Sequence, residues 1–272
     1  MKELKRINMS IFPNYDFLRK FQEMQLGITF DDIIDLNFAV VSYSKTDKSA
    51  YWNYALLKQE IHEEELNNMA GLFENIDRNP EVYFENAAGT STLTELLVSK
   101  DYEKNFEDCW QFWKGVRVVD ERHFSSVKKV SSKAELATFL ETFNNCYQKD
   151  DPQNPYGEVG DYLKSAEFAW HKNNESNKLE YFIVYKSDKP VSVAALTNYN
   201  GLGYISNVGS LRDVRGEGYG KAATLYCVKE SMQNGNTEHC LSTEEGHYPN
   251  EFYKMIGFDT KFTAVAYSRR QS

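Results

Sequence analysis

The stretch "VGSLRDVRGEGYGKAATLYCVKES", residues 208–231, constrains this chain most. Three glycines, Gly216, Gly218 and Gly220, fall within five positions between a run that reads as a strand and a run of helical periodicity. A glycine-rich turn entering a helix leaves backbone N–H groups unpaired at the positive end of the helix dipole, so its expected ligand is an anion, usually a phosphate. Spacing sorts the phosphates. A triphosphate loop requires four residues between its first glycine and a Gly-Lys pair, then Ser or Thr for magnesium. Here three residues separate Gly216 from Gly220, and Ala222 follows Lys221. A dinucleotide fingerprint requires G-x-G-x-x-G after the first strand of a βαβ unit, whereas G-x-G-x-G stands far along this chain. Two readings remain: a differently spaced phosphate loop, or a plain helix-capping turn.

The elements around the loop are mixed α and β. "SSKAELATFLETFNNCYQ" opens with a capping box, Ser132 and Glu135, and places Leu136, Phe139, Leu140 and Phe143 on one helical face. "DYLKSAEFAWHK" reads as a second helix, "LEYFIVYKSDKPVSVAAL" as a hairpin turning at residues 187–190, and "GLGYISNVGSL" as a third strand. The loop feeds a helix over residues 219–234, with Ala222, Leu225, Val228 and Met232 on one face. A strand "EHCLST", a short helix "PNEFYKMI" and a last strand pair in "GFDTKFTAVAYS" follow. A division near residues 120–129 gives two segments, 1–124 and 125–272. In the first, "NYALLKQEIHEEELNNMAGLFENI" reads as a helix with Leu57, Ile61, Met69 and Leu72 on one face. It is followed by a strand "PEVYFE", a helix "STLTELLVSKDY" and the aromatic run "FEDCWQFW".

Arg215-Gly216-Glu217-Gly218-Tyr219-Gly220 is an R-x-x-G-x-G arrangement, and with it the sequence resembles the GNAT superfamily of acyl-CoA-dependent N-acyltransferases. "YISNVGSLRDVRGEGYGKA" is similar to that family's fourth strand, pyrophosphate loop and third-helix start, and "EFYKMIGF" resembles its segment in which a helix tyrosine precedes Gly-Phe. One helix and one strand separate the two, as the family order requires, and residues 127–268 can be laid on the fold. The resemblance implies an α/β (α+β) GNAT fold over 125–272, a mixed, mostly antiparallel sheet flanked by helices. There are departures. Arg212 stands where the family often has proline, and Gly246 and Pro249 stand where it often has Asn and Ala, all on the acceptor side. The first segment has no R-x-x-G-x-G. The order of "EVYFENAAGTSTLTELLVSKDYEKNFEDCWQFW" nevertheless follows that of "EHCLSTEEGHYPNEFYKMIGFDTKFTAVAY". A degenerate GNAT-like second copy and an unrelated α/β cap both fit, and either is placed to wall an acceptor cleft.

The resemblance also implies roles. Backbone N–H groups of Gly216, Gly218, Tyr219, Gly220 and Lys221 would bind the pyrophosphate of acetyl-CoA, the acyl-donor cosubstrate, with Arg215 adding charge and Glu217 in the same loop. Val208, Gly209, Ser210 and Leu211 would pair with pantetheine as an added strand does. Tyr253 is the expected general acid for the leaving thiolate; packing beside Phe252 and Ile256 is its plainer reading. An aliphatic amine with a pKa near ~10.4 is neutral in only on the order of one part in a thousand at pH 7, so desolvation or a base must help. Glu244 and Glu245 are the candidates, against solvated loop positions. Ser206 and Asn207 are candidate acceptor contacts, against satisfying a strand bulge.

Other chemistry is not indicated. The four cysteines form no C-x-x-C pair and read as reduced, buried thiols. The five histidines show no H-x-x-x-H spacing, so no metal is expected, and His247 alone falls near the proposed site. No G-x-S-x-G elbow is present, which favours direct transfer over an acyl-enzyme. With 40 acidic against 31 basic side chains the net charge is −9, which disfavours nucleic acid as a partner. "MKELKRINMSIFPNYDF" has no apolar leader core and no window reaches membrane-spanning length, so a cytoplasmic protein without a membrane partner is expected. The leading expectation is an N-acetyltransferase acting on an amine of a small molecule or a protein. Its competitors are a noncatalytic acyl-CoA-binding sensor or scaffold module, and a loop for another nucleotide's phosphates.

Overall fold

The computed structural model describes residues 11–270. The stretch read for a leader lies partly outside them, at residues 1–10. Among the described residues no helix is long and apolar enough to cross a membrane. In chain order the elements are α1 (Tyr15–Gln25), β1 (Asp32–Asp35), β2 (Ala39–Tyr43), β3 (Asn53–Leu57), α2 (Glu63–Asn75), β4 (Glu81–Glu85), α3 (Ser91–Ser99), β5 (Tyr102–Trp113) and β6 (Val127–Lys129). There follow α4 (Lys133–Cys146), α5 (Tyr162–Asn173), β7 (Leu179–Lys186), β8 (Lys189–Tyr199), β9 (Leu202–Ser210), α6 (Tyr219–Gln233), β10 (Glu238–Glu244), α7 (Tyr248–Ile256) and β11 (Phe258–Arg269).

All the strands join one sheet, in the order β1-β2-β3-β4-β11-β5-β10-β9-β8-β7-β6. Two neighbouring pairs, β3–β4 and β9–β10, are parallel and the rest are antiparallel. The last strand of each segment crosses to the other: β5 pairs with β10, β11 pairs with β4, and the two pair with each other at the centre. Strands β11 and β5 thereby cover the edges that β4 and β10 would otherwise present unpaired. The division near residue 124 is therefore one of chain order, while in space the two segments share a sheet.

Local signals formed the expected elements where partners lie close in sequence. Ser132 Oγ accepts from the Glu135 N–H, and the Glu135 carboxylate accepts from the Ser132 N–H at 3.1 Å, closing the capping box of α4. Ser187 and Asp188 both adopt the left-handed conformation that joins β7 to β8. The four cysteines are buried and unbridged.

Two expectations are corrected. The helix expected over residues 53–76 divides: Asn53–Leu57 is a strand with every residue buried, and only Glu63–Asn75 is helical. A strand covered on both faces shows a continuous apolar run, which periodicity does not separate from a helix, so Leu57 and Ile61 share no helical face with Met69. The final strand pair is one strand, β11, whose register shifts between Thr260 and Phe262. The polar residues there make a bulge instead of a turn.

Helices cover both faces. On one, α2 and α3 pack Phe73 and Leu97 against Phe84 and Tyr267 of the sheet, and α6 and α7 pack Ala223, Val228 and Tyr253 against Leu196 and Leu241. On the other, α1 sets Phe21 and Met24 against Trp110 and Tyr204.

Glu81, the first residue of β4, is fully buried and accepts hydrogen bonds from Ser268 Oγ and Asn105 Nδ2. Burial pushes its carboxyl up from 4.5 to about 7. The stability that goes with its protonated form is complete below about 4.5 and is lost as pH rises through about 7. Glu81→Gln keeps an acceptor oxygen without the charge. It should raise stability at pH 8 by about 3 kcal/mol and leave pH 4 stability unchanged, measured by urea unfolding at both values. An equal change at both would assign the effect to packing.

Candidate active site

Strands β9 and β10 run side by side only where Leu202, Gly203 and Tyr204 pair with Glu238, His239 and Cys240. Beyond that point they part. Asn207 adopts φ +52°, and the register against β8 slips between Val193 and Ala195, so Asn207 and Val208 form a bulge. The β10-facing edge of residues 205–210 is left without a strand partner. Tyr147 donates its hydroxyl to the Val208 carbonyl at 2.9 Å, and Asn207 Oδ1 accepts from the Tyr162 hydroxyl at 3.1 Å.

The glycine loop closes the wide end of this opening. Gly218 is the N-cap of α6 at φ +95°, a conformation that a side chain would strain, and no side chain caps the helix. A Cβ on Gly220 would lie 2.9 Å from Ser210 Oγ, so the absent side chain lets the helix start abut the strand end. Among the described residues the N–H groups of Gly216, Gly218, Tyr219, Gly220 and Lys221 find no acceptor. Five donors at a helix start, five residues from an open strand edge, make a site for an anion attached to a chain with amide groups.

Arg215 takes a different place from the expected one. Its Nη1 donates to Asp151 Oδ1 at 2.8 Å, its Nη2 to the other oxygen, and its Nε to the Ser210 carbonyl at 3.4 Å. The Asp151 side chain is 1% exposed, and the Arg215 guanidinium holds its carboxyl down to about 2. A buried carboxylate requires such a partner, so Arg215 braces the loop against the α4–α5 connection instead of standing free for a phosphate. Glu217 and Leu211 also leave the site. The Glu217 carboxylate pairs with Lys186 Nζ at 2.7 Å and its N–H is bonded to Val214, while the Leu211 N–H is bonded to Val191. Neither lines the cavity.

That cavity, of about 670 Å3, runs from Gly218, Gly220 and Lys221 past Ser206, Asn207, Val208, Gly209 and Ser210 to the first segment of the chain. Tyr253 of α7 stands on its wall, edge-on to Phe252 and to Phe258, with ring centroids 5.1 and 6.0 Å away. Burial pushes its phenol far above 10, with the Thr224 side chain acting in the opposite sense, so the hydroxyl keeps its proton at neutral pH.

The two glutamates proposed as bases are not in the cavity. Glu244 sits at the end of β10, 3.6 Å from His247 Nε2, and burial raises its carboxyl. Glu245 turns to the neighbouring strand, where its carboxylate accepts from Cys109 Sγ. Alternation along a strand end sends adjacent side chains to different sides, a choice that a Glu-Glu pair does not reveal.

A carboxylate that does line the cavity, with Asp47 and Glu158, is Asp108 of β5, opposite Glu244 in the pairing register. Its Oδ2 accepts from the Tyr83 hydroxyl at 2.9 Å, which in turn accepts from Trp110 Nε1 at 3.0 Å. Burial pushes its carboxyl up from 3.8 to about 7, the Tyr83 hydrogen bond opposing and the charges of Glu244 and Glu107 adding to the rise. The one signal for it in the sequence is an aspartate within the aromatic strand "FEDCWQFW". Tyr51, Tyr54, Phe106 and Trp110 surround it from the same segment. Among the described residues no group of three His, Cys, Asp or Glu side chains is placed to hold a metal.

Residues 136–258 match the model of the acetyltransferase (GNAT) family. No curated protein matches. Among solved structures, a GCN5-related N-acetyltransferase from Kribbella flavida is similar over 94% of this chain and 95% of its own, at 17% identity and TM-score 0.67. A GCN5-related N-acetyltransferase from Sphaerobacter thermophilus is similar over 88% and 83%, at 13% identity and TM-score 0.60. A tandem GNAT protein from the clavulanic acid biosynthesis pathway is similar over 86% and 80%, at 10% identity and TM-score 0.52. At these identities the structural likeness is one of fold, and it extends over both segments. With the parted β9 and β10 and the glycine loop at the start of α6, residues 136–258 carry a domain of the acetyltransferase (GNAT) family.

Proposed function

We propose that the protein is an N-acetyltransferase that uses acetyl-CoA and transfers the acetyl group directly to an amine. One observation carries the reading: five free N–H groups, an unpaired strand edge and the protonated Tyr253 all border one cavity. Acetyl-CoA supplies the acyl group as a thioester. The N–H groups of Gly216, Gly218, Tyr219, Gly220 and Lys221 hold its pyrophosphate, the edge at Val208, Gly209 and Ser210 aligns the pantetheine arm, and Ser206 and Asn207 border the acceptor. Tyr253 donates its proton to the departing sulfur. The fold shared with the Kribbella and Sphaerobacter N-acetyltransferases supports this.

The first segment is read as a degenerate copy. From β1 and from β7 onward, the two segments each run three antiparallel strands, a helix, a parallel strand, a helix and a long last strand. Between β3 and α2, however, the chain reads Lys58-Gln59-Glu60-Ile61-His62, with no glycine to expose N–H groups.

Thermal unfolding tests the reading. Acetyl-CoA at a hundred times its Kd should stabilise the fold by about 2.7 kcal/mol, a rise of roughly 5–10 °C in the midpoint for a chain of this size. ATP should give none. An equal rise with ATP, or none with acetyl-CoA at millimolar concentration, would overturn it.

A further inference from the structure

The far end of the cavity is lined by rings held rigidly against one another. Tyr51 stacks on Phe106 with centroids 4.4 Å apart, Trp52 on Tyr162 at 5.3 Å, and Phe21 meets Trp110 edge-on at 4.8 Å. The Trp52–Tyr162 stack joins the first segment to α5 of the second. Asp108 lies beside the rings of this box.

The other charged groups of the lining are placed otherwise. Arg215 and Lys221, at the loop end, are paired with Asp151 and Asp120. Glu158 is exposed, and Asp47 is half-exposed with its Oδ1 held by the Ser49 N–H at 2.7 Å. Asp108 has no cationic partner among the described residues. Tyr83 occupies Oδ2, and Oδ1 has no hydrogen-bond partner there. A carboxylate with one free oxygen, ringed by aromatic faces, is complementary to an ammonium group, which gains from the ring quadrupoles as well as from the charge. The surroundings also limit the rest of the ligand. Asp47 is already engaged by the Ser49 N–H, so a second or third ammonium group would find no carboxylate as free as Asp108, whereas an apolar body would bury against the rings.

Resting on the acetyltransferase reading above, we propose that the acceptor is a small primary amine with a single positive charge on an apolar, ring-sized body. The first segment binds it, and Asp108 is the catalytic residue that holds its ammonium and takes its proton. The bookkeeping of atoms is complete. Asp108 takes one proton from the ammonium; the freed nitrogen forms the C–N bond to the acyl carbon as the C–S bond breaks and its electron pair stays with sulfur. Tyr253 protonates that sulfur. The nitrogen's second proton replaces the one Tyr253 gave, and the proton on Asp108 leaves to solvent.

The groups facing Asp108 are Tyr83 from β4, Tyr54 from β3, Glu107 on its own strand, Glu244 from β10, and Tyr51, Tyr156 and Tyr204 nearby. None is a cation, which agrees with a carboxyl raised to about 7. As the base it works ionised, so kcat/KM should climb about tenfold per pH unit below that value and level off above it.

The test uses the full chain with acetyl-CoA, following thiol release with 2-phenylethylamine and with spermidine. The aromatic monoamine should show kcat/KM at least about tenfold above the polyamine. Asp108→Asn should lower kcat/KM by about 10²–10⁴-fold and abolish the acidic limb, while the midpoint rise given by acetyl-CoA persists. The same variant should melt higher than the parent at pH 8, because no charge need then be buried. Tyr83→Phe should move the limb to higher pH, since the Tyr83 hydrogen bond favours the carboxylate. Binding of 2-phenylethylamine, read by quenching of tryptophan fluorescence, tests the box without acetyl-CoA. Spermidine matching the monoamine, no quenching, or an Asn variant that keeps its pH limb would overturn the proposal. Failure of the acetyltransferase reading registers separately, as the absence of any midpoint rise with acetyl-CoA.

Discussion

Tyr253→Phe should lower kcat of acetyl transfer by about 10²–10³-fold and leave the midpoint rise given by acetyl-CoA unchanged. The ring is held by Phe252 and Phe258, and those contacts survive loss of the hydroxyl. Thr224, its polar neighbour, already donates to the Gly220 carbonyl at 2.9 Å, so the substitution strands no donor of its own. What disappears is a proton in a buried place, next to the cavity and away from water. Single-turnover release of the free thiol measures the chemical step, and thermal unfolding with acetyl-CoA measures binding. Transfer at the parent rate would reduce Tyr253 to a packing residue. A lost midpoint rise would place its role in binding instead.

Asp151→Ala is expected to act through the fold. The Arg215 guanidinium, 25% exposed as a side chain, would lose its bidentate partner 64 residues away, and leaving a largely buried charge unpaired costs about 3 kcal/mol or more. The sign with pH follows from the carboxyl held at about 2 in place of 3.8: its stabilisation is complete above about 3.8 and is lost as pH falls through about 2. Urea unfolding should therefore show a constant gap between parent and variant from pH 5 to 8, narrowing below pH 4. Because Arg215 fixes the loop to the α4–α5 connection, acetyl-CoA should also bind more weakly. Arg215→Ala combined with Asp151→Ala should cost less than the two single changes together, since the double variant leaves neither charge alone. A variant as stable as the parent would show that the pair is held by its surroundings and contributes nothing of its own.

The contrast between these two residues, one singled out by its place in the sequence and one not, holds for the molecule. The glycine loop, the capping box of α4 and the β7–β8 turn were legible in the sequence. Each depends on residues within a few positions of one another and on backbone conformations that particular side chains permit or forbid. Tyr253 was singled out by its place before Gly257 and Phe258, and the structure sets it on the cavity wall. The strand at Asn53–Leu57 was not, because burial on both faces erases the alternation that marks a strand.

Tertiary structure alone decided the rest. It set Arg215 on Asp151, turned Glu245 to Cys109, crossed β5 and β11 between the segments, and brought Asp108 from residue 108 to a cavity whose other wall begins near residue 205. Each of these is a pairing between distant parts of the chain, settled by which edge each strand covers and which buried charge must be matched. A local pattern holds no record of either. The sequence by itself determined that a glycine turn would open α6; the sheet decided which carboxylate would share a cavity with it.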